Sequence, residues 1–212
     1  MKLLLTSNGL TNDALKKIFL DLLFDDPEDT MVAFILTASN MEKDKSYIDN
    51  SIETLKSMGL NHINPIDIAK DKEEWERTIE EADIVWMEGG NTFYLMDQLN
   101  KSGFGSLKED MNDKMYIGVS AGSIVVTPDI SIATVTPADP NAVGLTDMKG
   151  LGWVDFEVSP HTPDVVSFEN FEKYAKTTKR TIYGFDDKTA LFVEKDQVRV
   201  VGEGNCRMLN FS

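Results

Sequence analysis

Tyr116-Ile117-Gly118-Val119-Ser120-Ala121-Gly122-Ser123-Ile124-Val125-Val126 runs from a short apolar stretch, across a serine bracketed by two glycines, into a second apolar stretch. A G-x-S-x-G that closes a strand and opens a helix is the setting of a nucleophile elbow. The turn is so tight that the positions two before and two after the serine must lack side chains. It lifts the Ser120 hydroxyl to the carboxyl end of a sheet and the amino end of a helix. There the dipole and free backbone N–H groups favour a developing negative charge, and the N–H of Ala121 is one donor.

Outward from this corner, strand-like runs stand at Leu3–Thr6, Met31–Leu36, Ile63–Ile68 and Ile84–Met87. Most are continuously apolar, as strands covered on both faces are. Leu15, Ile18, Phe19, Leu22 and Leu23 make one helical stripe between them, and Ile48, Ile52, Leu55 and Met58 another, with Gly59 at its stop. A βαβα pattern needs right-handed crossovers and covers both sheet faces, so the first 125 or so residues predict a doubly wound, mostly parallel α/β sheet. From Pro128 to Pro163, prolines and glycines predict loops or bent edge strands. A helix is expected over Val165–Ala175. Short strands at Thr181–Phe185, Ala190–Glu194, Val198–Val201 and Met208–Phe211 predict an antiparallel finish to the sheet. No internal repeat or Gly/Ser linker divides the 212 residues, which read as one domain, 1–212.

Lys and Arg number 21 against 36 for Asp and Glu, a net charge of −15 that repels nucleic acid and anionic lipid. One cysteine, Cys206, excludes an internal disulfide and points to a reducing compartment, the cytoplasm by default. The leucines at 3–5 are too few for a signal peptide, and nothing approaches the roughly 18 apolar residues of a membrane span.

A serine nucleophile needs a base, and only two histidines are available. His62 opens a strand and reads as structural. His161, in Val158-Ser159-Pro160-His161-Thr162-Pro163, is stiffened by prolines at a strand end, which suits a general base. Four carboxylates compete as the partner that orients it. Asp139 gives the chain order Ser, Asp, His but sits in an ordinary Asp-Pro-Asn turn. Asp164 reads as a helix cap, while Asp186 and Asp187 close a strand, and the pattern alone does not choose. Glu88-Gly89-Gly90-Asn91-Thr92-Phe93 follows a strand and precedes a helix. Gly89, Gly90 and Asn91 are expected to contact the oxyanion or substrate, the glycines through close backbone approach and free N–H groups, and Asn91 or Thr92 can cap the helix at the same time. Dinucleotide, Walker and zinc-ligand patterns are absent from the sequence, and the acidic run 25–29 lacks EF-hand spacing, so neither cofactor nor metal is expected.

Glu88-Gly89-Gly90-Asn91-Thr92-Phe93, then Gly118-Val119-Ser120-Ala121-Gly122-Ser123, Ser159-Pro160-His161 and Gly184-Phe185-Asp186-Asp187 together resemble the peptidase E (aspartyl dipeptidase) and cyanophycinase family of serine peptidases, from Lys2 to about Val201. The resemblance implies a flavodoxin-like sheet similar to class I glutamine amidotransferases. It also implies a cytoplasmic exopeptidase acting on very short peptides without a cofactor; a monomer or homodimer is expected. By position, Ser120 matches the nucleophile and His161 the base, Gly90 and Ala121 fall in the oxyanion region, and Asp187 stands where the family has its triad glutamate. That aspartate is one methylene shorter. Phe168 lies near the place of an arginine that holds a substrate aspartate, and the loop near Thr134–Thr136 lacks an expected aspartate, which argues against strict preference for N-terminal Asp. The competing expectations are an esterase or amidase using the same elbow, and a binding module of the same fold that turns nothing over. An amidotransferase would need cysteine in place of Ser120.

Overall fold

The structure is a computed structural model describing residues 1–135, 137–195 and 197–210. Its main sheet uses seven strands: β1 (Lys2–Thr6), β2 (Met31–Ile35), β3 (His62–Ile66), β4 (Ile84–Met87), β5 (Met115–Val119), β8 (Thr189–Glu194) and β9 (Gln197–Gly202). They lie in the order β3-β2-β4-β5-β1-β8-β9. The first five are parallel. β8 and β9 add on antiparallel, β8 directly beside β1. This is the doubly wound, mostly parallel α/β sheet that the sequence predicts.

The continuous apolar runs arise because both faces are covered. Leu3, Leu5, Ile35, Val85 and Met87 point into one core, and Leu4, Phe34, Ile84, Trp86 and Ile117 into the other. Helices α1 (Asp13–Leu22) and α2 (Ser46–Ser57) close the second core with Leu15, Phe19, Ile48 and Leu55. Helices α3 (Lys72–Glu81) and α4 (Thr92–Ser102) close the first with Trp75, Ile79, Phe93 and Leu99. Helix α3 was not among the expected elements, although Trp75 and Ile79 stand at i and i+4 and the Asp71 carboxylate accepts from Glu73 and Glu74 N–H at its start. No helix among the described residues is long and apolar enough to cross a membrane.

Three boundaries differ from expectation. Beyond the elbow, α5 covers only Ala121–Ile124. The carbonyls of Val125, Val126 and Thr127 instead accept N–H groups from Leu151, Trp153 and Gly152, so a returning loop takes the bonds a longer helix would use. Helix α6 starts at Phe168 and runs to Thr178, capped by Ser167 and not by Asp164, because the N–H groups of Val165 and Val166 turn back to the His161 carbonyl. Finally, β7 (Ile182–Phe185) leaves the main sheet and pairs with β6 (Glu157–Ser159) and β10 (Cys206–Leu209) in a separate three-stranded sheet. The expected last strand reached Phe211, which lies outside the described residues.

The glycine requirement at the elbow is steric. A Cβ on Gly118 would come within 2.8 Å of the Gly122 carbonyl, and one on Gly122 would collide with the backbone carbonyl of Met87 at the end of β4. Neither neighbour is a flexible side chain. Gly122→Ala is therefore expected to destabilise the fold by about 1–3 kcal/mol through overpacking. Gly144→Ala meets no atom within 4 Å and bears only the cost of its positive φ. Urea unfolding of the two variants tests this, and an unchanged midpoint for Gly122→Ala would contradict the packing account.

Candidate active site

Ser120 follows β5 and precedes α5 with φ 48 and ψ −108, a backbone conformation that a side-chain-bearing residue adopts only under constraint. The constraint comes from the adjacent end of β1. Thr6 O accepts the Ser120 N–H at 3.0 Å, and Thr6 Oγ1 donates to Gly118 O at 2.9 Å. Ser123 Oγ lies 2.8 Å from Thr6 O and 2.9 Å from Gly118 O, while Tyr116 Oη donates to Gly122 O at 2.7 Å. The turn is thus fastened on both sides of the serine.

His161 follows β6 and is also left-handed, with φ 58. Its N–H donates to Ser7 Oγ at 3.0 Å, and Ser7 Oγ donates in turn to Phe185 O at 3.0 Å, the carbonyl that also receives Thr162 N–H. The loop is thereby tied to the ends of β1 and β7, and the imidazole stands between two polar groups. Nε2 is 3.0 Å from Ser120 Oγ, and Nδ1 is 2.6 Å from Asp187 Oδ1. The His161 and Asp187 side chains keep 25% and 34% of their surface exposed, so solvent reaches the pair. An aspartate at 187 therefore reaches the ring despite its shorter side chain.

The other three carboxylates serve elsewhere. Asp186, 7% exposed, collects the N–H groups of Lys188 and Asn205, the Thr189 hydroxyl and the Asn205 amide. Burial pushes its carboxyl up, but these bonds outweigh burial and hold it below the ordinary aspartate range. Asp164 is exposed in the turn after His161. Asp139 accepts the Thr92 N–H at 2.8 Å at the start of α4 and lines the cleft beside Ser120.

The glycine segment after β4 divides. The Gly89 N–H is taken by Glu88 Oε1 at 2.9 Å and its carbonyl by Tyr47 Oη at 3.3 Å, which corrects the expectation that Gly89 offers an oxyanion donor. Asn91 is likewise committed. Its N–H goes to Ala38 O, its Oδ1 accepts from Tyr94 N–H as the α4 cap, and its amide donates to Pro140 O, so these groups hold the start of α4 in place. Gly90, at φ 138, lies so close against Ala38 that a Cβ would overlap that residue's carbonyl. The N–H groups of Gly90 and Ala121 have no partner among the described residues. Behind this segment Glu88 is buried and bonded to Trp86 Nε1. Burial raises its carboxyl despite the bonds from Gly89, Trp86 and Ser51.

Ser7, Asn8 and Thr11 escaped the sequence reading. Asn8 Nδ2 donates to Asp187 Oδ2 at 3.3 Å and Thr11 Oγ1 to Asp187 O. A signal existed in the abrupt change from Leu3-Leu4-Leu5 to Thr6-Ser7-Asn8 at a strand's carboxyl end, where ligands gather in open α/β sheets.

Comparison with known proteins agrees with this architecture. The model of peptidase family S51 matches residues 3–201. An uncharacterised peptidase of Listeria monocytogenes, Lmo0363, is 31% identical over 172 residues, 79% of this chain and 83% of that protein. Peptidase E of a Nostoc species is 28% identical over 147 residues, 63% of this chain and 58% of that protein. A 1.5 Å crystal structure of a Listeria monocytogenes protein proposed to be a peptidase E superposes with TM-score 0.80 at 28% identity, covering 95% of this chain and 98% of that one. A peptidase from an acI-B1 actinobacterium, at 20% identity and TM-score 0.69, shares the fold.

Asp186 and Asp187 are adjacent but separable by experiment. Asp186→Ala takes the acceptor from four donors, of which the Thr189 hydroxyl is buried, and is expected to cost about 1–3 kcal/mol of stability. Because its folded pKa is depressed, the ionic part of that contribution is present above the unfolded value near 3.9 and disappears as pH falls through the lower folded value. The stability gap between wild type and variant should therefore narrow on acidification below about pH 4. Chemical denaturation at pH 7 and at pH 3 measures it, and a gap that widens in acid would overturn the assignment.

Proposed function

The chain belongs to peptidase family S51, and we propose that it is a serine-type exopeptidase that hydrolyses short peptides through Ser120, His161 and Asp187. The observation that carries the reading is the continuous polar line from Ser120 Oγ to His161 Nε2 at 3.0 Å and from Nδ1 to Asp187 Oδ1 at 2.6 Å. In that arrangement Asp187 fixes the tautomer with the proton on Nδ1, which leaves Nε2 free to take the serine proton.

Ser120 Oγ attacks the scissile carbonyl carbon as its proton passes to His161 Nε2. The oxyanion forms beside the N–H groups of Gly90 and Ala121, the donors left over once Glu88 has taken that of Gly89. Collapse expels the amine, which leaves with the proton from the imidazolium. Water, deprotonated by the same Nε2, then releases the acyl group and restores the serine. Water is the only co-reactant this acyl transfer requires. A cleft of about 100 Å³ between Ser120, His161 and the 132–139 loop favours a single terminal side chain over a long chain in extended register. That the site draws on the ends of β1, β5, β6 and β7 supports reading the chain as one catalytic unit. A cytoplasmic setting fits the single free cysteine.

Ser120→Ala is expected to abolish turnover of a dipeptide panel and labelling by a fluorophosphonate, with little change in melting temperature. Asp187→Asn should lower kcat by about 10⁴-fold through the wrong imidazole tautomer. Steady-state kinetics beside thermal melts distinguish these losses from unfolding. Substantial hydrolysis by Ser120→Ala would exclude the mechanism.

A further inference from the structure

The cleft in front of Ser120 has an uneven chemistry. Its inner wall is built from Ile124, Ile132, Ala133, Val135 and Val166, side chains that are buried or half-buried. Among the described residues that line it, the only ionisable groups are His161 and Asp139. His161 is committed to Ser120 and Asp187. Asp139 is a carboxylate at the edge of an apolar cavity, with one oxygen accepting from the Thr92 N–H and the other, Oδ1, without a partner among the described residues.

Its location relative to the oxyanion donors gives this carboxylate a specific use. Thr92, to which Asp139 is fastened, is the second residue after Gly90. In the first residue of a peptide, the ammonium nitrogen and the carbonyl carbon are both bonded to the same Cα. Asp139 and Ser120 line the same cleft, so a scissile carbonyl seated at Ser120 leaves the ammonium group, bonded to the adjoining Cα, in the cleft that Asp139 edges. The side chain, the other heavy substituent on Cα, is left with the apolar residues of that cleft.

Building on the serine-peptidase reading above, we infer that Asp139 binds the α-ammonium group of the substrate and that the adjoining apolar wall accepts a small aliphatic first side chain. The substrate class is thus unblocked short peptides beginning with residues such as Ala or Val. A first residue bearing a carboxylate would meet Asp139 with no lysine or arginine among the described lining residues to pair with it. The cavity of about 100 Å³ also limits the size of that side chain. Asp139 serves here as a binding group, and it caps α4 at the same time.

The test compares Ala-Leu, Val-Leu, Asp-Leu, Glu-Leu, Lys-Leu and N-acetyl-Ala-Leu as substrates of the wild type and of Asp139→Asn. The hydrolysis of p-nitrophenyl acetate by the wild type and Ser120→Ala runs alongside. Asparagine keeps an oxygen for the Thr92 N–H, so the helix cap survives while the charge is removed. For the wild type, kcat/KM for Ala-Leu and Val-Leu should exceed that for the acidic and lysyl dipeptides, and that for the acetylated peptide, by roughly tenfold or more. In Asp139→Asn the advantage of free over acetylated Ala-Leu should vanish, chiefly through KM. The wild-type panel decides the question even if the variant folds poorly. Preference for Asp-Leu would require a cation not found among the described lining residues, and preference for Lys-Leu would mean that Asp139 reads a side chain; either overturns the inference. So would an acetylation penalty that persists in Asp139→Asn. If Ser120-dependent ester hydrolysis is present but free and acetylated peptides behave alike, the inference about Asp139 falls and the serine chemistry stands. If neither ester nor peptide hydrolysis depends on Ser120, both fall.

Discussion

The Ser120 backbone turn rests on the interlock between the ends of β1 and β5. A φ of 48 on a residue with a side chain costs about 1–3 kcal/mol and persists only where neighbours over-determine it. Here Thr6 does so from two directions, its carbonyl receiving the Ser120 N–H and its hydroxyl binding the Gly118 carbonyl. Each such bond is worth about 1 kcal/mol net, so together with the Ser123 and Tyr116 hydroxyls they offset the strain. The pairing also demands that β1 and β5 be neighbours in register, Thr6 beside Val119, in the middle of the sheet. The strand order and the conformation of Ser120 thus depend on one another.

His161 and Asp187 are placed by the same strand end. After Thr6, Ser7 binds the His161 N–H and the Phe185 carbonyl, while Asn8 and Thr11 reach Asp187. The small sheet β6-β7-β10 carries His161 and Asp187 at the exits of its two parallel strands, and this loop fixes it against the main sheet. Asp186 supplies the remaining rigidity. By gathering four donors from 188–205, it holds the turn from which Asp187 projects. One carboxylate is invested in the fold so that the next can approach an imidazole at 2.6 Å with a side chain of only two rotatable bonds.

Much of this was legible in the sequence for a physical reason. Steric rules are local: Gly118 and Gly122 must flank Ser120 whatever the rest of the chain does, and runs such as Ile84–Met87 are apolar because both faces are covered. His161 emerged because histidine is scarce here. What stayed hidden depends on pairing at long range. Nothing in Ile182–Phe185 says that it joins β6 and β10 in place of β8, and nothing local to four competing aspartates says which faces a ring that departs 26 residues earlier. Helix α6 begins later than its apolar spacing suggests because His161, in its left-handed conformation, captures the next available N–H groups.

The segment after β4 shows how adjacent residues of one type acquire different tasks. Glu88 lies in a space where a carboxylate needs donors, and the nearest are Trp86 Nε1 and the Gly89 N–H. Tyr47 takes the Gly89 carbonyl from the other side, so that peptide is fixed and has nothing left to offer a ligand. The chain must then reverse into α4, and Asn91 anchors that reversal by giving its N–H to Ala38 and its carboxamide oxygen to Tyr94. Between two saturated positions, Gly90 alone retains an unpartnered N–H among the described residues, and its lack of Cβ is what lets the backbone lie against Ala38. A buried acid thus decides, by occupying one donor, which neighbouring N–H is left without a partner among the described residues.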